Sequence, residues 1–293
     1  AQDRLPIRVI AMPHHELALQ AIEGAVTFDR VLEPSVFVGA AKIIQDGSIQ
    51  GYTGYLGKPY HTPYKGDAGY TGYPARSREA LTEIVGKLHD AGWQLGIHAN
   101  GDAAIDDTIA AYRAAQEANP RDDARLFVIH AQMTREDQLD AFKELQMIPS
   151  FFVLHTYYWG DRHRDVFMGP ERAARISPTR SALDRGLHFT IHCDTPVVPM
   201  EPLRLAWAAV NRKTVSGQLL GEDQRISVMD ALRATTIEAA YQHFLEDRIG
   251  SIESGKLADF VILEQDPRVF PTRLDELEVQ ETIVGGRTIY RKE

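Results

Sequence analysis

The sequence predicts an α/β fold in which parallel strands are wrapped by helices, with a small β appendage at the C-terminus. Three observations predict it. Apolar runs of strand length alternate with amphipathic segments of helical length from residue 5 to about residue 241. The apolar runs are nearly continuous, the pattern of strands covered on both faces. Three of them lead to metal-competent groups: 93–98 ends on His98, 126–130 ends on His130, and 187–192 runs on to Asp194. In a parallel barrel the strand C-termini converge on one face. Two histidines and an aspartate meeting there suit a borderline-soft divalent cation such as zinc.

In chain order, 5–12 (LPIRVIAM) reads as a strand, 15–24 as a weak helix and 36–46 (VFVGAAKIIQD) as a second strand. Residues 47–74 form a long Gly/Pro/Tyr loop in which GYTGY occurs at 51–55 and again at 69–73. A loop of that length inside a compact domain is a lid or binding loop more often than a spacer. Residues 77–91 form an amphipathic helix with Ser77 as N-cap and Gly92 as its stop. Strand 93–98, helix 102–118, strand 126–130, helix 135–145 and strand 147–153 continue the alternation. A loop at 155–170, helix 171–185, strand 187–192 and helices 201–213 and 227–241 follow. That is six strand–helix units over 1–249. From residue 250 the pattern changes to strand 257–263, strand 279–284, a Gly285-Gly286 turn and strand 287–290, the last two a hairpin.

Composition sets bounds. A chain of 293 residues holds one large domain, or one plus a small appendage. Its net charge of −9 argues against a nucleic-acid phosphate backbone as partner. No apolar run approaches the roughly 18 residues that span a bilayer. The lone Cys193 excludes an internal disulfide framework. Ala1-Gln2-Asp3-Arg4 carries no leader pattern, so the expected location is the cytoplasm. The expected partner is a small-molecule substrate, and a homo-oligomer is allowed. The chain does not start with methionine, so its start is processed, engineered or cut from a longer protein.

Period-two alternation places His188, Thr190, His192 and Asp194 on one face of strand 187–194, and Leu187, Phe189 and Ile191 on the other. A buried face with two histidines and a carboxylate is unfavourable unless its groups are hydrogen-bonded or hold a metal. Asp194, His98 and His130 are therefore read as ligands, with Asp194 also catalytic. His192 is read as a residue that orients a ligand. Lys42 lies in an apolar strand on the same face as Asp46. Either Lys42 forms an ion pair with Asp46 or a similar group, or it carries a carbamate whose oxygens bridge two metals, a reading that periodicity alone does not suggest and that the resemblance given below carries. His155, beside Tyr157, Tyr158 and Trp159, is read as a substrate contact, as is Asp46. The GYTGY repeats are a pocket wall or a surface loop. His14 and His15 are not read as a metal pair, because adjacent strand residues point to opposite faces.

At these positions the chain resembles the amidohydrolase superfamily, in the family 3 branch that includes N-substituted formamide deformylases. The resemblance rests on AKIIQDGS at 41–48, IHANGD at 97–102, VIHA at 128–131, HCDTP at 192–196 and GSIESGKLADF at 250–260, and runs over essentially the whole chain. It implies a TIM-type (β/α)8 barrel with a metal centre at the strand C-termini. Lys42, His98, His130 and Asp194 match the family's ligands on strands four, five, six and eight. It also implies a His-x-His pair on strand one, which this sequence lacks in a matching place. Residue 5 then starts strand three, and 250–293 is the C-terminal part of a β-sandwich. The expectation is a longer native protein, with 1–293 alone metal-poor, inactive and prone to associate.

The function so implied is a metal-dependent hydrolase of a C–N bond, using one or two divalent ions, zinc foremost. The alternatives are a mononuclear deaminase of the same superfamily, and a metal-free relative that only binds.

Overall fold

The computed structural model describes residues 5–27, 29, 31–33 and 35–293. Its strands are β1 (Val9–Ala11), β2 (Val31–Glu33), β3 (Val36–Val38), β4 (Ala41–Ile44), β5 (Leu95–Ala99), β6 (Phe127–His130), β7 (Ile148–Phe151), β8 (Thr190–Ile191), β9 (Phe260–Leu263), β10 (Val279–Val284) and β11 (Arg287–Arg291). Its helices are α1 (His15–Ile22), α2 (Arg78–Asp90), α3 (Asp102–Ala118), α4 (Glu136–Glu144), α5 (Leu154–Arg162), α6 (Gly169–Ala174), α7 (Thr179–Asp184), α8 (Pro202–Asn211), α9 (Val228–Thr235) and α10 (Ile237–Gln242).

The centre is a five-stranded parallel sheet in the order β4-β5-β6-β7-β8. Its register aligns Ile44 with His98, Ala99 with His130, and Ser150 with Thr190. The strands are buried because helices cover them. Leu81, Val85 and Leu88 of α2 and Ile105 and Tyr112 of α3 pack in one core with Ile43, Ile97 and Val128. Each such side chain contributes about 1.5–3 kcal/mol by leaving water. Helix ends fall where the sequence places them. Ser77 Oγ accepts from Ala80 N at 3.2 Å, and Gly92 takes the left-handed φ of +81° that stops the helix. Ser227 caps α9 in a reciprocal box with Asp230.

Six elements depart from expectation. The run 36–46 is two strands, because the chain leaves one sheet and enters another. β3 pairs in parallel with β1 and antiparallel with β2, whereas β4 opens the central sheet. Gly39 lies between them, where a Cβ would stand 2.4 Å from Ile10 Cγ2. The segment 5–12 therefore gives no full strand to the central sheet. The chain reaches that sheet at a single bridge, His14 to Lys42, and Lys42 N donates to Pro13 O at 2.8 Å. Pro13 has no N–H with which to continue a ladder. Among the described residues the central sheet thus holds five strands and one bridge in place of six strands.

The expected loop 155–170 is instead mostly helical, α5 followed by a π-type turn at His163–Phe167. Helix 171–185 is two short helices broken around Ser177, whose φ is +50°, and Pro178. Helix 227–241 is likewise divided at Thr236 into α9 and α10. Finally, β8 starts only at Thr190, so His188 precedes the sheet.

The tail forms the expected antiparallel sheet, order β11-β10-β9, with Gly285 and Gly286 both at positive φ in the turn. It is not wholly separate. Trp207 Nε1 donates to Thr272 O at 3.0 Å, and Leu274 is buried in the main core. Among the described residues no helix is long and apolar enough to cross a membrane.

Candidate metal centre

The parallel sheet brings His98 and His130 to the C-terminal ends of β5 and β6, with His192 and Asp194 just beyond β8 and Lys42 inside β4, level with Gly96. His98 and His130 meet edge to face, with ring centroids 4.5 Å apart. His130 Nδ1 lies 3.3 Å from His192 Nε2. Lys42 feels Asp194 as its leading charge partner.

Asp46 sits behind His98. Its side chain is fully buried, and Oδ1 lies 3.1 Å from His98 Nδ1. Oδ1 also accepts from Asn100 N, and Oδ2 from Gly101 N and Tyr55 N, at 2.8–3.0 Å. With both oxygens engaged inside the protein, Asp46 does not have the open face expected of a substrate contact, nor does it pair with Lys42. With Nδ1–H given to this carboxylate, His98 keeps its lone pair on Nε2. Asn100 Nδ2 lies 3.3 Å from that atom and donates to Gly47 O.

His130 ends β6 in an unusual backbone state. His130 and Ala131 have φ of +73° and +45°. Consecutive left-handed residues other than glycine are uncommon and cluster at functional sites. Thr134 Oγ1, donating to Ala131 O at 2.7 Å, holds the turn.

Burial first, then neighbouring histidines, hold the His130 imidazole well below its usual pKa. Burial, then Lys42 and His98, push His192 down to about 3. Burial lowers Lys42 to about 8, against the raising effect of Asp194. Neutral imidazoles with available lone pairs are what a divalent cation requires.

His155 is 2% exposed on α5, with its Nδ1 buried and unpartnered. Its ring lies 4.4 Å from Phe152 and 5.9 Å from His130. The expected substrate contact is thus part of an aromatic layer behind His130. His188 stands apart, bound to Glu238 at 2.7 Å and stacked on Tyr241 at 3.9 Å, so it does not share the interior face.

His14 and His15 also correct the strand argument. His14 is a bridge residue and His15 begins a helix, so the alternation rule does not govern them. Their rings lie 4.2 Å apart. Among the described residues, donor atoms of three or more His, Cys, Asp or Glu lie mutually within 4.8 Å only at His14, His15 and Glu16. His98, His130 and Asp194 converge more loosely.

The GYTGY repeats lie side by side. Leu56 N donates to Thr71 O at 2.8 Å, and a Cβ on Gly72 would meet Gly54 O at 1.9 Å. The rings of Tyr52, Tyr60, Tyr64 and Tyr70 pack on one another at 4.7–5.9 Å. Sequence reading missed Asn100, Ser150 and Gln242. Ser150 gave the clearest signal, a hydroxyl inside the apolar run MIPSFF.

A parallel sheet covered by helices, with histidines at neighbouring strand ends, is an α/β arrangement of the TIM-like class. The comparisons give the same class. A structure of an uncharacterized metal-dependent hydrolase from Pyrococcus horikoshii superposes with a TM-score of 0.77 at 27% identity, covering 90% of this chain and 52% of that one. The Pyrococcus furiosus counterpart gives 0.76 at 25%, with the same coverage. The chain belongs to the amidohydrolase family, whose profile matches residues 1–290. It is 27% identical to a putative amidohydrolase, YtcJ, of Bacillus subtilis, over 100% of this chain and 54% of that protein. It is 28% identical to the N-substituted formamide deformylase of Arthrobacter pascens, over 95% and 51% respectively. The chain spans about half the length of the curated relatives it matches. The family implies a divalent metal, and the neighbouring imidazoles of His98, His130 and His192 are donors of the kind that fit one.

Proposed function

We propose that this chain supplies metal ligands and the proton-transfer carboxylate of a hydrolase that cleaves a C–N bond in an amide or N-acyl compound. The observation that carries the reading is the convergence of His98 and His130, rings 4.5 Å apart, at adjacent strand ends. The deformylase relative supports the substrate class.

His98, His130, Asp194 and Lys42 would hold one or two divalent ions, zinc foremost. A bound metal would supply Lewis acidity there, for acidifying water and polarising a carbonyl oxygen. Asp194 takes the proton of the attacking water and returns it to the leaving nitrogen. Asp46, against His98 Nδ1, would fix the ring and leave Nε2 as the nitrogen to hold a metal. Lys42, with its amine lowered to about 8, is open to carbamylation, which makes it an anionic ligand. The 47–74 loop, tied to Asp46 through Tyr55 N, shapes the approach to the site.

The test pairs elemental analysis of the purified protein with hydrolysis assays on N-substituted formamides and N-acyl amines. Bound metal with release of amine and acid supports the reading. Ammonia release from an aminated heterocycle would move the assignment to a deaminase. An active metal-free protein would overturn it.

A further inference from the structure

We propose that Gln242, Thr190, Ser150 and His192 form a one-directional hydrogen-bond wire that fixes the tautomer of His130. The inference rests on the reading of His130 as a metal ligand. It makes Gln242 and Ser150 positioning residues for that ligand.

The wire is continuous. His130 Nδ1 lies 3.3 Å from His192 Nε2, and His192 Nδ1 lies 2.9 Å from Ser150 Oγ. Ser150 Oγ and Thr190 Oγ1 are 2.8 Å apart, and Thr190 Oγ1 is 2.8 Å from Gln242 Oε1. His130, Ser150, Thr190 and Gln242 are each at most 6% exposed, and His192 between them is partly buried, so the Ser150–Thr190–Gln242 end of the wire is shielded from water.

Counting protons sets the direction. Each hydroxyl donates once. The Thr190 proton goes to the Gln242 carbonyl oxygen, so Ser150 donates to Thr190. The Ser150 oxygen then accepts from His192 Nδ1–H. That leaves a lone pair on His192 Nε2, which accepts from His130 Nδ1–H. His130 Nε2 is left with its lone pair, and among the described residues no protein group hydrogen-bonds it. Turning the Gln242 amide over would reverse every bond and put a proton on His130 Nε2, which then could not ligate. Metal ligation through Nε2 therefore requires the carbonyl oxygen of Gln242 to face Thr190.

The anchor lies at the opposite end of the sheet. Gln242 O accepts from Gln94 Nε2 at 2.6 Å, and the same amide nitrogen donates to Arg125 O at 2.9 Å. Gln94 and Arg125 precede β5 and β6, so α10 closes the N-terminal ends of these strands. The wire crosses the sheet from there to the metal-facing end.

The test measures Zn2+ dissociation constants and His130 ring-nitrogen NMR shifts in the protein and its variants. Ser150→Ala and Gln242→Met should weaken binding about tenfold or more, the effect of removing a partner of a ligating histidine. They should also mix the His130 tautomers and lower kcat at near-constant KM. Gln242→Glu, whose carboxylate only accepts, should bind within a few-fold of wild type. Thr190→Ser should behave as wild type while Thr190→Val behaves as Ser150→Ala, and this pair decides the matter if a Gln242 variant fails to fold. Unchanged metal affinity in Ser150→Ala and Thr190→Val, or a protonated Nε2 in the metal-loaded protein, would overturn the wire. A separate failure is diagnosed by His130→Ala: if it binds zinc as wild type does, the ligand reading itself falls.

Discussion

His98 Nδ1 and Asp46 Oδ1 stand 3.1 Å apart, with the carboxylate wholly out of solvent and held by three backbone N–H groups. A carboxylate so fixed is a preorganised acceptor: it selects one tautomer of His98 and one ring orientation. Asp46→Asn keeps the volume but replaces one oxygen with a donor that faces either a backbone N–H or the histidine N–H. The expected result is a metal affinity about 10–100-fold weaker, the usual effect of losing such a partner. Competition with a chromophoric chelator measures it. Wild-type affinity in the variant would show that His98 is oriented by Asn100 alone.

Asp194 lies beyond β8 and acts on Lys42 across the site. Asp194→Asn removes the group that accepts and returns the proton. Hydrolysis should fall by at least about a hundredfold, the low end of general acid–base contributions. Circular dichroism and thermal unfolding should stay near wild type, since Asp194 is only half-buried. Retained activity would remove Asp194 from the proton path.

Much of this was legible in the chain. Alternating periodicities gave the parallel sheet, Ser77 and Gly92 gave the ends of α2, and the tail hairpin followed from Gly285-Gly286. His98, His130 and Asp194 stood at strand ends where any parallel sheet would gather them. The role of Asp46 was not legible, because it depends on three backbone N–H groups from 55, 100 and 101, which only the tertiary fold brings together. The left-handed turn at His130 and Ala131 contradicts local propensity and had no sequence signal. The division of 36–46 turned on Gly39, a single residue inside an otherwise strand-like run, and the loss of 5–12 from the central sheet on Pro13 just after it. His188 was misplaced because alternation was extended two residues ahead of the start of β8.

Lys42 carries a pH prediction with a definite sign. Carbamylation joins the neutral amine to carbon dioxide and releases a proton, so it requires the unprotonated form. With the folded pKa at about 8, against 10.5 for an ordinary lysine, uptake of labelled bicarbonate should rise through pH 8. Carbon-13 NMR or intact mass detects the adduct. The metal-free protein should also gain stability between about pH 8 and 10.5, because the unfolded chain binds more protons there. Lys42→Met should abolish both effects. A bare amine in the metal-loaded protein would refute the bridging role.

Gly101 links the loop to the metal centre through shape alone. Its φ is an ordinary −77°, so backbone conformation does not demand glycine. Space does: a Cβ there would stand 1.8 Å from Tyr55 O and 2.4 Å from Tyr55 C. The obstacle is backbone, which cannot rotate aside as a side chain can. The same strand of loop gives Tyr55 N to Asp46 Oδ2 and accepts Ala104 N on Tyr55 O. Gly101→Ala must therefore push the first GYTGY repeat away from α3. The expected cost is about 1–3 kcal/mol, typical of overpacking, read by denaturant unfolding. Because the displaced segment holds Asp46, metal affinity should fall together with stability. A Gly101→Ala protein that loses stability but keeps wild-type metal affinity would show that the loop and the metal centre are mechanically independent.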